Sequence, residues 1–143
     1  MNKYLSIALT AGIICTIIHS YNNHYPATQQ LADTIYTEAG GEPYIGKLAV
    51  ATTIFNRARQ LSKPPLDIVN TPKQYARRRT SFRQRLSTEY HDCPGLATTL
   101  YKMQLTPLDN WTHFYAYKKC TPYWAGALKN KKVIGNHMFG RLD

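Results

Sequence analysis

QLADTIYTEAGGEPYIGKLAVATTIFNRAR, residues 30–59, is the stretch that decides the fold. Leu31, Ala32, Ile35, Tyr36 and Ala39 recur at spacings of three and four, which places them on one face of a helix. Pro26 suits the first turn of that helix, and Thr28 can cap its free N–H groups. Gly40-Gly41 is expected to end it, because glycine reaches the left-handed conformation of a helix stop without steric cost. Glu42-Pro43 then opens a second helix, with proline in the first turn and an acid near the positive end. Ile45, Leu48, Ala49, Thr52, Ile54 and Phe55 carry it to about Arg59.

Downstream, Pro64-Pro65 and Asn70-Thr71-Pro72 leave room only for a short turn of helix at Leu66–Val69. Residues 73–91, KQYARRRTSFRQRLSTEYH, are basic and weakly periodic, which predicts a loop with a short helix near its end. Pro94 begins another helix with Leu96, Leu100, Met103 and Leu105 on its inner side. Trp111, His113, Tyr115 and Tyr117 alternate with Thr112, Phe114 and Ala116, a period-two pattern of strand formers. Pro122–Leu128 reads as a short helix, and residues 132–134 and 137–139 as a hairpin around Gly135-Asn136. The expected fold is mainly α (α+β), one helical domain over 30–143 with a small antiparallel sheet in its C-terminal third.

Upstream, MNKYLSIALTAGIICTIIHS has a basic start at Lys3 and an apolar run from Tyr4 to Ile18. That run is shorter than the roughly 20 residues needed to span a bilayer as a helix. Residues 1–20 therefore read as a secretory signal peptide, or as an uncleaved anchor tethering the chain to the inner membrane by residues 4–18, with 21–29 as linker. Export to the periplasm or cell wall is the expectation. If Cys15 leaves with the signal, Cys93 and Cys120 remain as a pair in an oxidising compartment, so a Cys93–Cys120 disulfide is expected. Two free thiols, or a zinc site from His91, Cys93, His113 and Cys120, are the alternatives.

The chain has 143 residues, sized for one domain, and its 43% hydrophobic content supports a packed core. A net charge of +10 implies a polyanionic partner: nucleic acid, an anionic membrane face or a cell wall. Arg77-Arg78-Arg79 with Arg83 and Arg85 concentrates that charge in residues 77–85. In an exported chain this segment points to the anionic wall or membrane surface and away from nucleic acid. A monomer is expected.

Only eight acids occur, and two of them, Glu38 and Glu42, flank the break between the first two helices. A carboxylate in the last turn of an apolar helix meets the negative end of the dipole. That field and partial burial favour the protonated form, the state a proton donor to a glycosidic oxygen needs. Taken alone, the spacing favours a solvated glutamate at a frayed helix end.

The run from Glu38-Ala39-Gly40-Gly41-Glu42-Pro43 through Gly46 and Ala49-Val50-Ala51 to Asn56-Arg57 resembles the signature of the spore cortex-lytic (SleB-type) cell wall hydrolases. Gln74-Tyr75, Thr112-His113-Phe114-Tyr115, Trp124 and Gly135-Asn136-His137-Met138-Phe139 are similar to further motifs of that family in the same order. The resemblance implies a lysozyme-like fold, action on the MurNAc–GlcNAc backbone of peptidoglycan, no cofactor or metal, and Glu38 as the catalytic acid. Gly40 stands where the family usually has Arg, and the basic stretch 76–85 replaces a shorter, less charged one.

Hydrolytic glycosidases use two carboxylates, about 5–5.5 Å apart for retention or about 6.5–9.5 Å for inversion. Lytic transglycosylases need one glutamate, which acts as acid and then as base. Glu42 is the only nearby second acid and is read first as a helix cap or substrate-positioning residue, then as a second carboxylate. The expectation is therefore the anhydro-forming reaction, with a hydrolytic muramidase and a noncatalytic wall-binding adaptor as alternatives. A small, signal-bearing lytic enzyme also suits a phage endolysin. Gln74, Tyr75, Tyr115 and His137 are candidates for the substrate groove, with Tyr115 and His137 equally readable as core. For Phe114 and Trp124 the core reading is favoured.

Overall fold

The structure is a computed structural model, and it describes residues 26–76, 79–104 and 108–143. Helix α1 (Ala27–Ala39) buries Leu31, Ala32, Ile35 and Ala39, the face that their spacing predicts. It begins at Ala27, within the stretch 21–29 read as linker and just after Pro26. The proposed signal or anchor over residues 1–20 lies outside the described residues. Among the described residues, no helix is long and apolar enough to cross a membrane.

Helix α2 (Tyr44–Gln60) is the centre of the molecule, with Ala49, Val50, Ala51, Thr52, Thr53, Ile54 and Phe55 all buried. A helix buried on every side must let its neighbours approach closely. The small Ala and Thr residues allow this, and Thr53 returns its hydroxyl to the Ala49 carbonyl at 2.9 Å. Around α2 pack α1, the short α3 (Pro65–Val69) and α5 (Cys93–Met103), whose inward residues are Cys93, Leu96, Ala97 and Leu100. Met103 is exposed instead of inward, because α5 stops at a left-handed Gln104 (φ 51). Helix α4 (Phe82–Arg85) falls in the middle of the basic stretch and not near its end. Its start is fixed by a capping box: Ser81 accepts from the Gln84 N–H, and Gln84 accepts from the Ser81 N–H.

The C-terminal third forms a three-stranded antiparallel sheet in the order β1-β3-β2, from β1 (His113–Tyr115), β2 (Lys129–Ile134) and β3 (His137–Arg141). The hairpin turns at Gly135-Asn136, where Gly135 has φ +58. β1 is shorter than the period-two pattern, pairing only His113, Phe114 and Tyr115 with Gly140, Phe139 and Met138. Trp111 is instead a core residue whose Nε1–H donates to the Asn130 carbonyl at 3.0 Å. The expected helix at Pro122–Leu128 is only a 3-10 turn over Ala125–Ala127. β2 is an edge strand, and its exposed Lys129, Lys131 and Lys132 guard it against further pairing.

Two expectations are overturned here. Gly40 is right-handed (φ −56, ψ −39), so no left-handed stop is used. Its glycine serves close approach, since a Cβ there would lie 2.7 Å from the Tyr36 carbonyl and 2.8 Å from its ring. Cys93 and Cys120 are both free. The Cys93 thiol is buried in the first turn of α5 facing the Glu89 carbonyl, whereas Cys120 is exposed in the loop after β1.

Candidate active site

The end of α1, the α2 flank, the segment around Tyr75 and the β1 face enclose an open cleft of about 480 Å3. Glu38, Gln74, Tyr75, Tyr115 and His137 all line it, as do Phe114 and Trp124. Glu38 is the only acidic side chain among the cleft-lining described residues. It is half-buried, and the Ala76 N–H donates to its Oε1 at 2.8 Å. Burial raises its pKa above the ordinary 4.5, against smaller lowering effects from the Ala76 N–H and the charge of His137. With Oε1 held by a backbone donor, the other oxygen is the one free to carry and deliver a proton.

Glu42 does not line the cleft and does not cap α2, whose N-terminal flanking residue is Pro43 without a side-chain cap. Its buried carboxylate accepts from the Asn136 N–H at 3.1 and 3.3 Å and from Asn136 Nδ2 at 3.0 Å. Its Oε1 also lies 3.4 Å from His137 Nδ1. Glu42 thus ties the start of α2 to the hairpin turn and stands behind His137. Two glycines make room for it: a Cβ on Gly46 would come within 2.8 Å of its Cβ, and one on Gly135 within 1.7 Å of its Oε2.

Tyr75 is both wall and core, with its ring 6.3 Å from Phe114, and burial pushes its hydroxyl up to about 12. Phe114 packs against the core and meets His137 edge-on at 5.5 Å. Trp124 lies outside the hydrophobic core; it stacks edge-on with His113 at 5.3 Å and Tyr115 at 5.7 Å inside the cleft. Burial, with the nearby Arg57 charge, lowers His113 to about 4, which keeps its ring neutral at ordinary pH.

Among the lining residues that sequence reasoning did not propose for the groove are Arg57, His113 and Tyr123. Arg57 follows Asn56, whose side chain donates to the Asp109 and Trp111 carbonyls at 2.9 Å each and so ties the approach to β1 onto α2. Tyr123 is 99% exposed on the rim, and nothing in its local spacing distinguishes it from a loop tyrosine. His91 and Cys93 flank the start of α5, while His113 and Cys120 line the cleft, so the four candidate zinc ligands occupy two places. Among the described residues, no group of three or more His, Cys, Asp or Glu could hold a metal ion.

A second carboxylate organises the segment opposite. Asp33 is buried on α1 and accepts from Thr80 N–H at 3.0 Å, Arg85 at 2.9 Å, Tyr90 hydroxyl at 2.7 Å and Gln29 at 3.0 Å. Glu38 and Asp33 therefore hold the basic segment at Ala76 and Thr80, either side of Arg77-Arg78, which lie outside the described residues.

Residues 41–140 match the family model described as Cell Wall Hydrolase; the match begins three residues after Glu38. A spore cortex-lytic enzyme of Bacillus cereus is 27% identical over 117 residues, covering 78% of this chain and 42% of that protein. The chain thus spans less than half the length of the curated relatives it matches. The catalytic domain of a germination-specific lytic transglycosylase, SleB, from Bacillus anthracis superposes with a TM-score of 0.63 at 24% identity, over 80% of this chain and 93% of that one. The catalytic domain of the Bacillus cereus SleB protein gives a TM-score of 0.63 at 25% identity, over 80% and 89%.

Proposed function

The chain belongs to the Cell Wall Hydrolase family, and from that premise we propose that it cleaves the MurNAc–GlcNAc backbone of peptidoglycan as a lytic transglycosylase. The observation that carries this reading is the single acid of the cleft, a half-buried Glu38 with raised pKa and one oxygen fixed by Ala76. A glycan strand laid in the cleft meets Tyr115, Trp124 and Tyr123 as aromatic surfaces for sugar faces, with Gln74 and His137 as polar contacts. Protonated Glu38 gives its proton to the glycosidic oxygen as the bond to muramoyl C1 breaks. The resulting carboxylate then takes the proton of the muramoyl C6 hydroxyl while O6 bonds to C1. A 1,6-anhydro ring forms, Glu38 is protonated again, and no water is consumed.

Glu42 supports this one-carboxylate route, since its oxygens are engaged by Asn136 and it stands outside the cleft. A hydrolytic muramidase would require a second acid able to reach water at the sugar. Digestion of purified peptidoglycan by wild type and Glu38→Gln, with mass analysis of the muropeptides, tests the proposal. Anhydro-terminated fragments from wild type only are expected. Reducing ends would replace the route with hydrolysis. Intact wall with wild type would leave a noncatalytic wall binder, and equal cleavage by Glu38→Gln would remove Glu38 from the chemistry.

A further inference from the structure

Outside the cleft, α4 and the residue that caps it carry the largest apolar exposure among the described helices and their caps. Phe82 is 78% and Leu86 72% exposed, one helical turn apart, with Arg79 and Arg83 exposed beside them. This is not a frayed loop. The Ser81–Gln84 capping box fixes the start of α4, and the Arg85–Asp33 ion pair at 2.9 Å ties its end to α1. The Thr80 N–H bond to the same aspartate secures the chain just before it. An anchored element, α4 with the Leu86 that follows it, holds two large apolar side chains in water, with Arg79 and Arg83 exposed along the same segment.

From this geometry we infer that Phe82 and Leu86 form a docking surface for an anionic lipid bilayer, with the surrounding arginines contacting headgroup phosphates. A glycan or teichoic polyanion could use the arginines but offers no apolar phase for Phe82 and Leu86. A bilayer offers both, apolar side chains entering the acyl boundary while guanidinium groups stay at the phosphates. Phe82 and Leu86 do not line the catalytic cleft, so this surface is independent of the glycan-cleaving reading. It would hold the enzyme at the membrane face of the wall.

The test uses the full chain, whose apolar residues 4–18 could bind lipid by themselves, so the readout must come from the patch. Phe82→Trp is titrated with phosphatidylglycerol and phosphatidylcholine vesicles, with and without brominated acyl chains. A blue shift and bromine quenching beyond that of wild type, confined to the anionic vesicles and weakened by salt, are expected. In sedimentation, Phe82→Ser/Leu86→Ser should bind anionic vesicles about tenfold or more weakly. Its cleavage of isolated glycan strands should be unchanged. Absence of quenching at position 82, or vesicle binding by the double variant equal to wild type, overturns the inference. Loss of binding to isolated sacculi with vesicle binding retained overturns it too, and gives the patch to the wall.

Discussion

Replacing Glu42 separates a structural brace from a catalytic carboxylate. In Glu42→Ala the N–H and Nδ2 of exposed Asn136 lose their buried acceptor, and the neighbour of His137 Nδ1 disappears. Hydrogen bonds to a charged acceptor contribute about 1.5–3 kcal/mol each. Water reaches exposed Asn136 and replaces part of what its two donors lose, so about 3–5 kcal/mol is the upper range of the expected loss. At about 4 °C per kcal/mol for a domain of this size, Tm should fall by at most roughly 12–20 °C. Glu42→Gln keeps an acceptor oxygen for Asn136 and should lose only about 1–2 kcal/mol. Thermal unfolding measures both, and turnover of peptidoglycan at a temperature where both variants are folded completes the assay. As a brace, Glu42→Gln should retain turnover within about tenfold, whereas losing a general base costs about 100-fold or more. A well-folded Glu42→Gln that loses at least that much, or a Glu42→Ala within about 1 kcal/mol of wild type, refutes the brace.

Three further outcomes follow from neighbouring groups. Glu38→Gln should abolish cleavage yet stabilise the fold at neutral pH. The carboxyl's folded pKa is raised, so wild-type stability is full below about 4.5 and declines as pH rises through the folded value, and the two proteins should converge in acid denaturation near pH 4. The alkaline limb of wild-type activity should mark the same ionisation. Asp33→Ala removes the acceptor that Arg85, Tyr90 and the Thr80 N–H share, so urea unfolding should register a loss of about 3–5 kcal/mol, and the Thr80 amide should exchange faster. Of the two thiols, exposed Cys120 should alkylate in the native protein while Cys93, buried and pushed up to about 11, reacts only after unfolding. Non-reducing peptide maps should contain no Cys93–Cys120 bridge.

The helix pair was legible because periodicity reports buried faces, and the face of α1 is buried as its spacing dictates, whereas α2 is buried nearly all round with its predicted Ile45 exposed. The hairpin at Gly135-Asn136 was legible through its turn chemistry. Long-range pairing was not. The length of β1 is set by how much of β3 lies opposite, which no local pattern at residues 111–117 encodes. The start of α4 was written in Ser81 and Gln84, a capping box hidden by the surrounding arginines. Gly40 read locally as a conformational residue and Gly46 only as part of a motif, but their need comes from the Tyr36 ring and the Glu42 side chain. Tyr123 and Arg57 enter the cleft only through tertiary placement.

Asp33, Glu38 and Glu42 follow one another along α1 and its turn, and their donor sets assign them different work. Asp33 accepts from four groups and Glu42 from the backbone and side chain of Asn136, so both are filled acceptors that hold other segments in place. Among the described residues Glu38 has the Ala76 N–H as donor, burial that outweighs this bond and the charge of His137, and an open cleft before it. Donors around Asp33 and Glu42 commit their oxygens to structure, while burial pushes the sparsely supplied Glu38 towards the protonated form, whose proton it can give away. Its helix-end position alone could not single out Glu38, because what distinguishes it is the number of donors its neighbours do not bring. Adding a donor at its free oxygen should therefore depress activity without touching the substrate contacts, and removing the Ala76 N–H by Ala76→Pro should shift the alkaline limb further upward. An unmoved limb in a folded Ala76→Pro protein would refute that account of the acid.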